Sequence, residues 1–396
     1  MLLAEDAQIS RFDRSRWVIN TRTGRNLLVN EATAQLFRLL GEHATLPEAS
    51  LAFNHRFGAA LSPDEFAKLI NDRFGGYHLL HGDEAPPRPT ASPYIKLKME
   101  LLPPAVAGWC AAPLRPFYTP VVFWCGLTAM LSFLLVLCLK QPVNLHESNT
   151  LWVALPLLYS SIFVHELGHI AACARFGVRH GGVGFGFYLF LFPVLYADIT
   201  NIWVADRQRR IIANLGGVFS QLLMATALAW AFLVTAYAPF QVAAFSIAVA
   251  ALWQLNPFVR SDGYWLLSDL SNTPNLLDKA SAALKQGLGL RLQPDDAKLE
   301  TGWKFRFLFI YGIINSLVVM AFAFYVLAKY YTEVIEFPID LLSLLRKCLI
   351  GTFSWNDINK NQLVVLGFYV MLLRYGFASF ASWRSKNKVQ RLAPIN

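Results

Sequence analysis

SSIFVHELGHIAACARFG, residues 160–177, is a mostly apolar run that nevertheless carries His165, Glu166 and His169. His165 and His169 are four apart, which on a helix puts both imidazoles on one face, a turn from each other. Glu166 stands beside the first histidine, where it can reach a water at a metal without being a ligand. This is the His-Glu-x-x-His spacing of zinc hydrolases. The bland alternative is a helix that turns polar side chains toward a bundle interior. The surroundings weaken it, because ionisable groups in an apolar span are costly and three together point to a functional site.

Composition sets the frame. The 396 residues are 55% hydrophobic and 15% charged, where a soluble domain carries about a quarter charged residues. The deficit of charge predicts a polytopic membrane protein. A net charge of +9 suits loops against an anionic cytoplasmic leaflet. No basic cluster interleaved with aromatics is present, so nucleic acid is not an expected partner. The five cysteines, Cys110, Cys125, Cys138, Cys173 and Cys348, form no Cys-x-x-Cys pair and read as small core residues. The opening residues lack the sustained apolar core of a cleavable signal peptide.

Residues 1–82 read as a small α+β, winged-helix-sized soluble domain. RWVIN and NLLVN are strand-like runs around the turn signal TRTGR. Three helices follow, with Asn30 as the first N-cap, Ser or Thr caps with Pro just inside for the other two, and Gly at each end. YHLLH closes the domain as a strand-like run. Residues 83–116 are a Pro-rich linker and a segment suited to a membrane surface. Residues 117–382 form the transmembrane domain, and 383–396 a basic tail.

A span needs about 20 apolar residues. Six runs are candidates: 120–139, 151–174, 211–237, the short 241–255, 307–327, and 363–380 with its Arg374. Residues 339–353, with Arg346 and Lys347, read as interfacial. With the N-terminal domain cytoplasmic, the inside loops are 175–210, containing DRQRR, and 258–306, and the tail is also inside. The outer stretches hold only Lys140, Lys329, Lys360 and the interfacial pair, as the positive-inside rule requires. This predicts a multi-pass protein of the cell membrane with both termini cytoplasmic.

A catalytic zinc takes three protein ligands and leaves one position open. The third donor must come from elsewhere. LNPFVRSDGYW, residues 255–265, breaks an apolar run at its cytoplasmic end and offers Asp262, with a turn Asp before Gly as its bland reading. Asp198, Asp206, His180 and Asp269 compete, and the sequence alone gives Asp262 a modest edge. Depth agrees: at 1.5 Å per residue His165 stands about 21 Å from the outer end of its run, in the inner half of a ~30 Å core.

FVHELGHIAACARFGV and NPFVRSDGYW resemble the two zinc motifs of the site-2 protease family of intramembrane metallopeptidases, over roughly residues 150–270. The resemblance implies a three-helix protease core, Zn²⁺ held by His165, His169 and Asp262, and Glu166 as the catalytic acid–base. It lifts Asp262 above its competitors. NLGGVFSQ, residues 214–221, stands where that family often has Gly-Pro-x-x-Asn; here Gly217 replaces the Pro and Ser220 the Asn. Asn256, Ser220 and Asn214 are the candidates for positioning substrate, with Gln221 a further possibility, while close helix packing through Gly216 and Gly217 is the competing account. Residues 182–198 are expected to form a re-entrant hairpin, either plain core or an edge for a substrate strand.

The N-terminal segment resembles the PqqD-like fold, which implies a peptide-recognition domain. The whole is similar to peptide zinc metalloproteases found with bacterial peptide-export or peptide-modification genes. The expected function is hydrolysis of a peptide bond in a membrane-embedded or membrane-associated peptide or protein, in maturation or export, with peptide-modification or export proteins as partners. The alternative is a non-proteolytic membrane component that binds or exports a peptide, and the Gly-Gly-x-x-Ser departure is what favours it.

Overall fold

The computed structural model describes residues 3, 7–13, 16–20, 26–74, 77, 79–80, 95–142, 150–188, 192–290, 301–352, 354, 361–362, 364–370 and 372–373. The expected linker up to residue 94, the TRTGR turn, the tail, and Arg374 with the rest of the last apolar run lie outside them. The chain divides into two compact units, Met1–Pro274 and Asn275–Asn396.

The first unit opens with an antiparallel sheet of β1 (Gln8–Arg11), β2 (Arg16–Asn20) and β3 (Asn26–Asn30), in that order. The sequence signals two of these strands. The third, β1, has too few alternating residues to register and is held by pairing Gln8–Arg11 against Asn20–Trp17 of β2. Three helices follow: α1 (Glu31–Glu42), α2 (Leu46–Phe57) and α3 (Pro63–Phe74). Their starts match the capping chemistry. Asn30 accepts a hydrogen bond from the Thr33 amide, Thr45 and Glu48 form a capping box, and Ser62 and Glu65 exchange bonds. Leu36, Phe37 and Leu40 of α1 meet Phe66, Ile70 and Phe74 of α3 in a small core of their own.

Next come α4 (Pro104–Ala111), α5 (Pro120–Lys140), α6 (Thr150–Arg175), α7 (Arg207–Asn214), α8 (Gly216–Thr235), α9 (Ala238–Trp253) and α10 (Asp262–Leu270). The second unit contains α11 (Leu276–Gly287), α12 (Trp303–Lys329) and α13 (Tyr331–Ile350). Among the described residues α5, α6, α8 and α12 are long and apolar enough to cross a membrane. Helix α9 is apolar but only 16 residues long. The apolar run at 211–237 is broken at Leu215, so that its first turn belongs to the amphipathic α7. Val121, Leu135, Leu139, Trp152, Val234 and Phe324 are exposed on these helices. Such a bare apolar exterior needs lipid rather than water around it, and marks a membrane protein.

Helices α6, α8 and α9 pack on one another as a three-helix core. The contact between α6 and α8 is close because both helices present glycine: a Cβ on Gly168 would overlap the Gly216 carbonyl and the Ser220 hydroxyl. A second sheet lies against α6 in the order β4 (Ile95–Leu102), β5 (Val183–Tyr188) and β6 (Phe192–Ala197), all antiparallel. The expected hairpin of residues 182–198 supplies two of these strands. The other, β4, comes from the segment read as interfacial; IKLKMELL alternates apolar and charged residues, a strand pattern that becomes a sheet by pairing with β5.

Candidate metal centre

Helix α6 carries His165, Glu166 and His169 at its buried end, among Leu167, Ile170, Ala171 and Ala172. Their partner arrives on another element. After α9 the chain turns through Asn256, whose Oδ1 accepts from the Phe258 amide and whose carbonyl accepts from Ser261 Oγ. The Gly263 amide donates to the Gln254 carbonyl, closing the loop. Asp262 is thereby delivered as the first residue of α10. Its Oδ2 lies 2.9 Å from His165 Nε2 and 3.4 Å from His169 Nε2, and the two Nε2 atoms are 3.1 Å apart.

The tautomers follow from the outer contacts. His169 Nδ1 is 2.7 Å from the Ala213 carbonyl, which can only accept, so Nδ1 carries the proton. His165 Nδ1 is 3.0 Å from Gln221 Oε1. The orientation of that amide is set in turn by Ser161: its hydroxyl donates to the Leu158 carbonyl and therefore accepts from Gln221 Nε2, at 3.1 Å. With both imidazoles neutral, two Nε2 lone pairs and one carboxylate oxygen point at a common centre. Left alone these groups repel; a cation between them satisfies all three. Tetrahedral donors at about 2.0–2.2 Å from zinc would stand about 3.3–3.6 Å apart, so the separations of 2.9, 3.1 and 3.4 Å need only a small outward shift to admit the ion. A buried ring nitrogen bonded to a carbonyl or amide oxygen behind each histidine is the usual support of a metal-binding imidazole.

Glu166 does not join the three donors. Its Oε2 accepts from the Ala197 amide of β6 at 2.6 Å. The sheet thus holds the glutamate beside the histidines. The bond also shows that the edge of β6 turned away from β5 faces α6, with Pro193 on it, where a missing amide leaves no ladder bond unmade.

The other residues singled out by sequence have different surroundings. Ser220 is buried, with its Oγ 2.7 Å from the Tyr118 hydroxyl, which also donates to the Gly216 carbonyl. Asn214 donates to Asp269 Oδ2 at 2.7 Å. Asn256 lines an apolar cleft of about 750 Å³ that also touches Tyr159, Ile162, Gln221, Phe245 and Trp253, between α6 and α9. Of the competing acids, Asp198 accepts from Thr200, Asp206 caps α7, and Asp269 pairs with Arg210 at 2.7 Å. Burial pushes the Asp269 carboxyl up against the opposing pull of Arg210 and Asn214. His180 Nδ1 lies 2.8 Å from the Gly181 carbonyl. Gly217 makes room for the site, since a Cβ there would overlap the His165 ring.

Sequence reading overlooked three contributors: Gln221 as the support of His165, the Ala213 carbonyl as the support of His169, and the Ala197 amide behind Glu166. Gln221 had a signal, a polar side chain in the middle of an apolar span. The two backbone groups had none.

Part of the chain is similar to a known protein. Over 119 residues, 30% of this chain, it is 30% identical to a Bacillus subtilis (strain 168) protein named "Putative peptide zinc metalloprotease protein YydH". The match spans 47% of that relative, about half its length. No protein-family model matches the chain, and no solved structure does.

Proposed function

We propose that this protein is a zinc metallopeptidase of the site-2 protease type, which hydrolyses a peptide bond in a membrane-embedded or membrane-associated peptide. The observation that carries the reading is the convergence of three metal-ligand atoms, His165 Nε2, His169 Nε2 and Asp262 Oδ2, on one point beside Glu166. The name of the Bacillus relative supports zinc as the ion. Zinc held there supplies Lewis acidity, polarising the scissile carbonyl and making water a usable nucleophile near neutral pH.

The chain's own groups do the rest. Glu166, oriented by the Ala197 amide, takes a proton from the attacking water as the C–O bond forms, and gives it to the amine nitrogen as the C–N bond breaks. Gln221 and the Ala213 carbonyl keep the Nε2 lone pairs aimed inward. The cleft between α6 and α9 accepts an apolar stretch of substrate, with Asn256 at its rim. The edge of β6 turned away from β5, beside Glu166, suits a substrate unwound into an extended strand, whose amides a helix would have kept hydrogen-bonded. Ser220 and Asn214 enter this scheme through Tyr118 and Asp269 rather than through substrate. The N-terminal PqqD-like domain recruits the peptide on the cytoplasmic side of the cell membrane, where both termini lie.

Purified protein with Glu166→Ala should retain zinc and lose cleavage. In cells the same variant should accumulate an uncleaved membrane-associated precursor. Wild-type turnover by the variant would remove Glu166 from the mechanism. A variant that keeps the full cellular phenotype would favour a peptide-binding component instead.

A further inference from the structure

A path of contacts leads from the N-terminal sheet to the backs of two proposed zinc ligands. Phe12, just after β1, is buried against the Arg210 guanidinium, with Cζ 4.2 Å from the ring centre. Trp203 stacks beside Phe12 at 5.8 Å and also faces Arg210. Arg210 is fully buried and pairs with Asp269, which is 5% exposed. This pair joins two elements that meet the site from different sides. Arg210 lies on α7, whose Ala213 carbonyl holds His169. Asp269 lies on α10, which begins with Asp262. Arg207 strengthens the same joint by donating to the Asp269 and Leu270 carbonyls at the C-terminal end of α10, where a cation is favoured.

The N-terminal domain makes further bonds to this surface. Asn272 Nδ2 donates to Asp13 Oδ2, Arg16 donates to the Asn272 carbonyl, and Asn20 Nδ2 donates to Asn201 Oδ1. Asn201 and Trp203 sit on the single helical turn Thr200–Val204, just after the strand whose Ala197 amide holds Glu166.

We infer that Arg210 is a positioning residue of the metal centre and that Phe12 is its cover, so that docking of the N-terminal sheet sets the placement of His169 and Asp262. The inference rests on the zinc reading above. Its physical basis is desolvation: an ion pair in a dry, aromatic-lined site holds its geometry far better than one open to water. Whatever lifts β1 from this surface wets the pair and loosens α7 against α10.

The test uses the full chain in detergent with two readouts. One is amide hydrogen exchange over residues 207–214 and 262–271 in metal-free protein. The other is the dissociation constant for Zn²⁺ measured against a chelator. Phe12→Ala should speed exchange in both segments and weaken zinc about tenfold, the lower end for loss of outer support at a metal site. Phe12→Tyr, which keeps the ring, should restore both. Asn272→Gly keeps the left-handed backbone at that position (φ 52°) but removes the bond to Asp13, and should shift both readouts the same way by less. Faster exchange confined to residues 7–20 with zinc affinity unchanged would overturn the inference. Wild-type protein that binds no zinc would sink the hydrolase reading instead. The exchange readout alone would then decide the coupling, upheld by faster exchange in α7 and α10 and overturned by its absence.

Discussion

His165 Nδ1 and Gln221 Oε1 are 3.0 Å apart, and both residues are buried. That contact turns the lone pair of Nε2 toward Asp262. Gln221→Ala frees the ring to rotate and leaves a buried N–H without an acceptor. Zinc affinity should fall by about 10–100-fold. Gln221→Glu retains an acceptor and should lose less. Chelator competition on purified protein measures both, and equal losses would show that the acceptor is not what matters.

Asp262→Asn keeps the shape of the third donor and removes its charge. Zinc affinity, measured against a chelator, should drop well beyond the 10–100-fold typical of an outer support. Asp198→Asn, a change at an acid bonded to Thr200, should leave zinc in place. Retention by the first variant and loss by the second would move the third ligand.

The His165 ring lies directly against the Cα of Gly217. Gly217→Ala should push the ring out of line, with an overpacking cost of about 1–3 kcal/mol and loss of zinc. Gly126→Ala is the matched control on α5, because its new methyl would meet only Phe219 at an ordinary 3.4 Å. Melting temperature and bound zinc, followed together, separate the two effects.

Ser220 and Tyr118 form a buried hydroxyl pair that receives no side chain from the zinc donors. Ser220→Ala should cost about 1 kcal/mol of stability and leave kcat/KM for a cleaved peptide unchanged. A fall in kcat with stability intact would return Ser220 to the substrate.

Because the three donors meet only in the folded chain, zinc binds the native state selectively. At a hundred times its dissociation constant it should add about 2.7 kcal/mol. Chelation should therefore lower the melting temperature of the wild type and scarcely move that of Asp262→Asn.

Local chemistry was readable wherever one element carries all of it. Helix starts at Asn30, Thr45 and Ser62, the End-to-end spacing of His165 and His169, and the apolar spans depend on residues within a few positions of each other. Strand β1 is too short to carry a pattern and exists by pairing with β2. Strand β4 does carry one, the alternation of IKLKMELL, but the same alternation suits a segment at a membrane surface, and pairing with β5 decides between them. The basic run DRQRR was read as charge for an inner loop, yet Arg207 and Arg210 are spent on the carbonyls and the carboxylate of α10.

The sequence by itself determined the histidine pair, its glutamate and an apolar setting in which such groups are costly, because a helix converts a four-residue spacing into a shared face. Spacing and composition gave Asp262 only a modest edge over the other acids, and the resemblance of NPFVRSDGYW lifted it above them. Tertiary structure decided the rest: α10 carries Asp262 to the histidines, β6 holds Glu166, and Gln221 and the Ala213 carbonyl choose the tautomers. Each of these is a contact between elements distant in the chain, set by packing that no local pattern records.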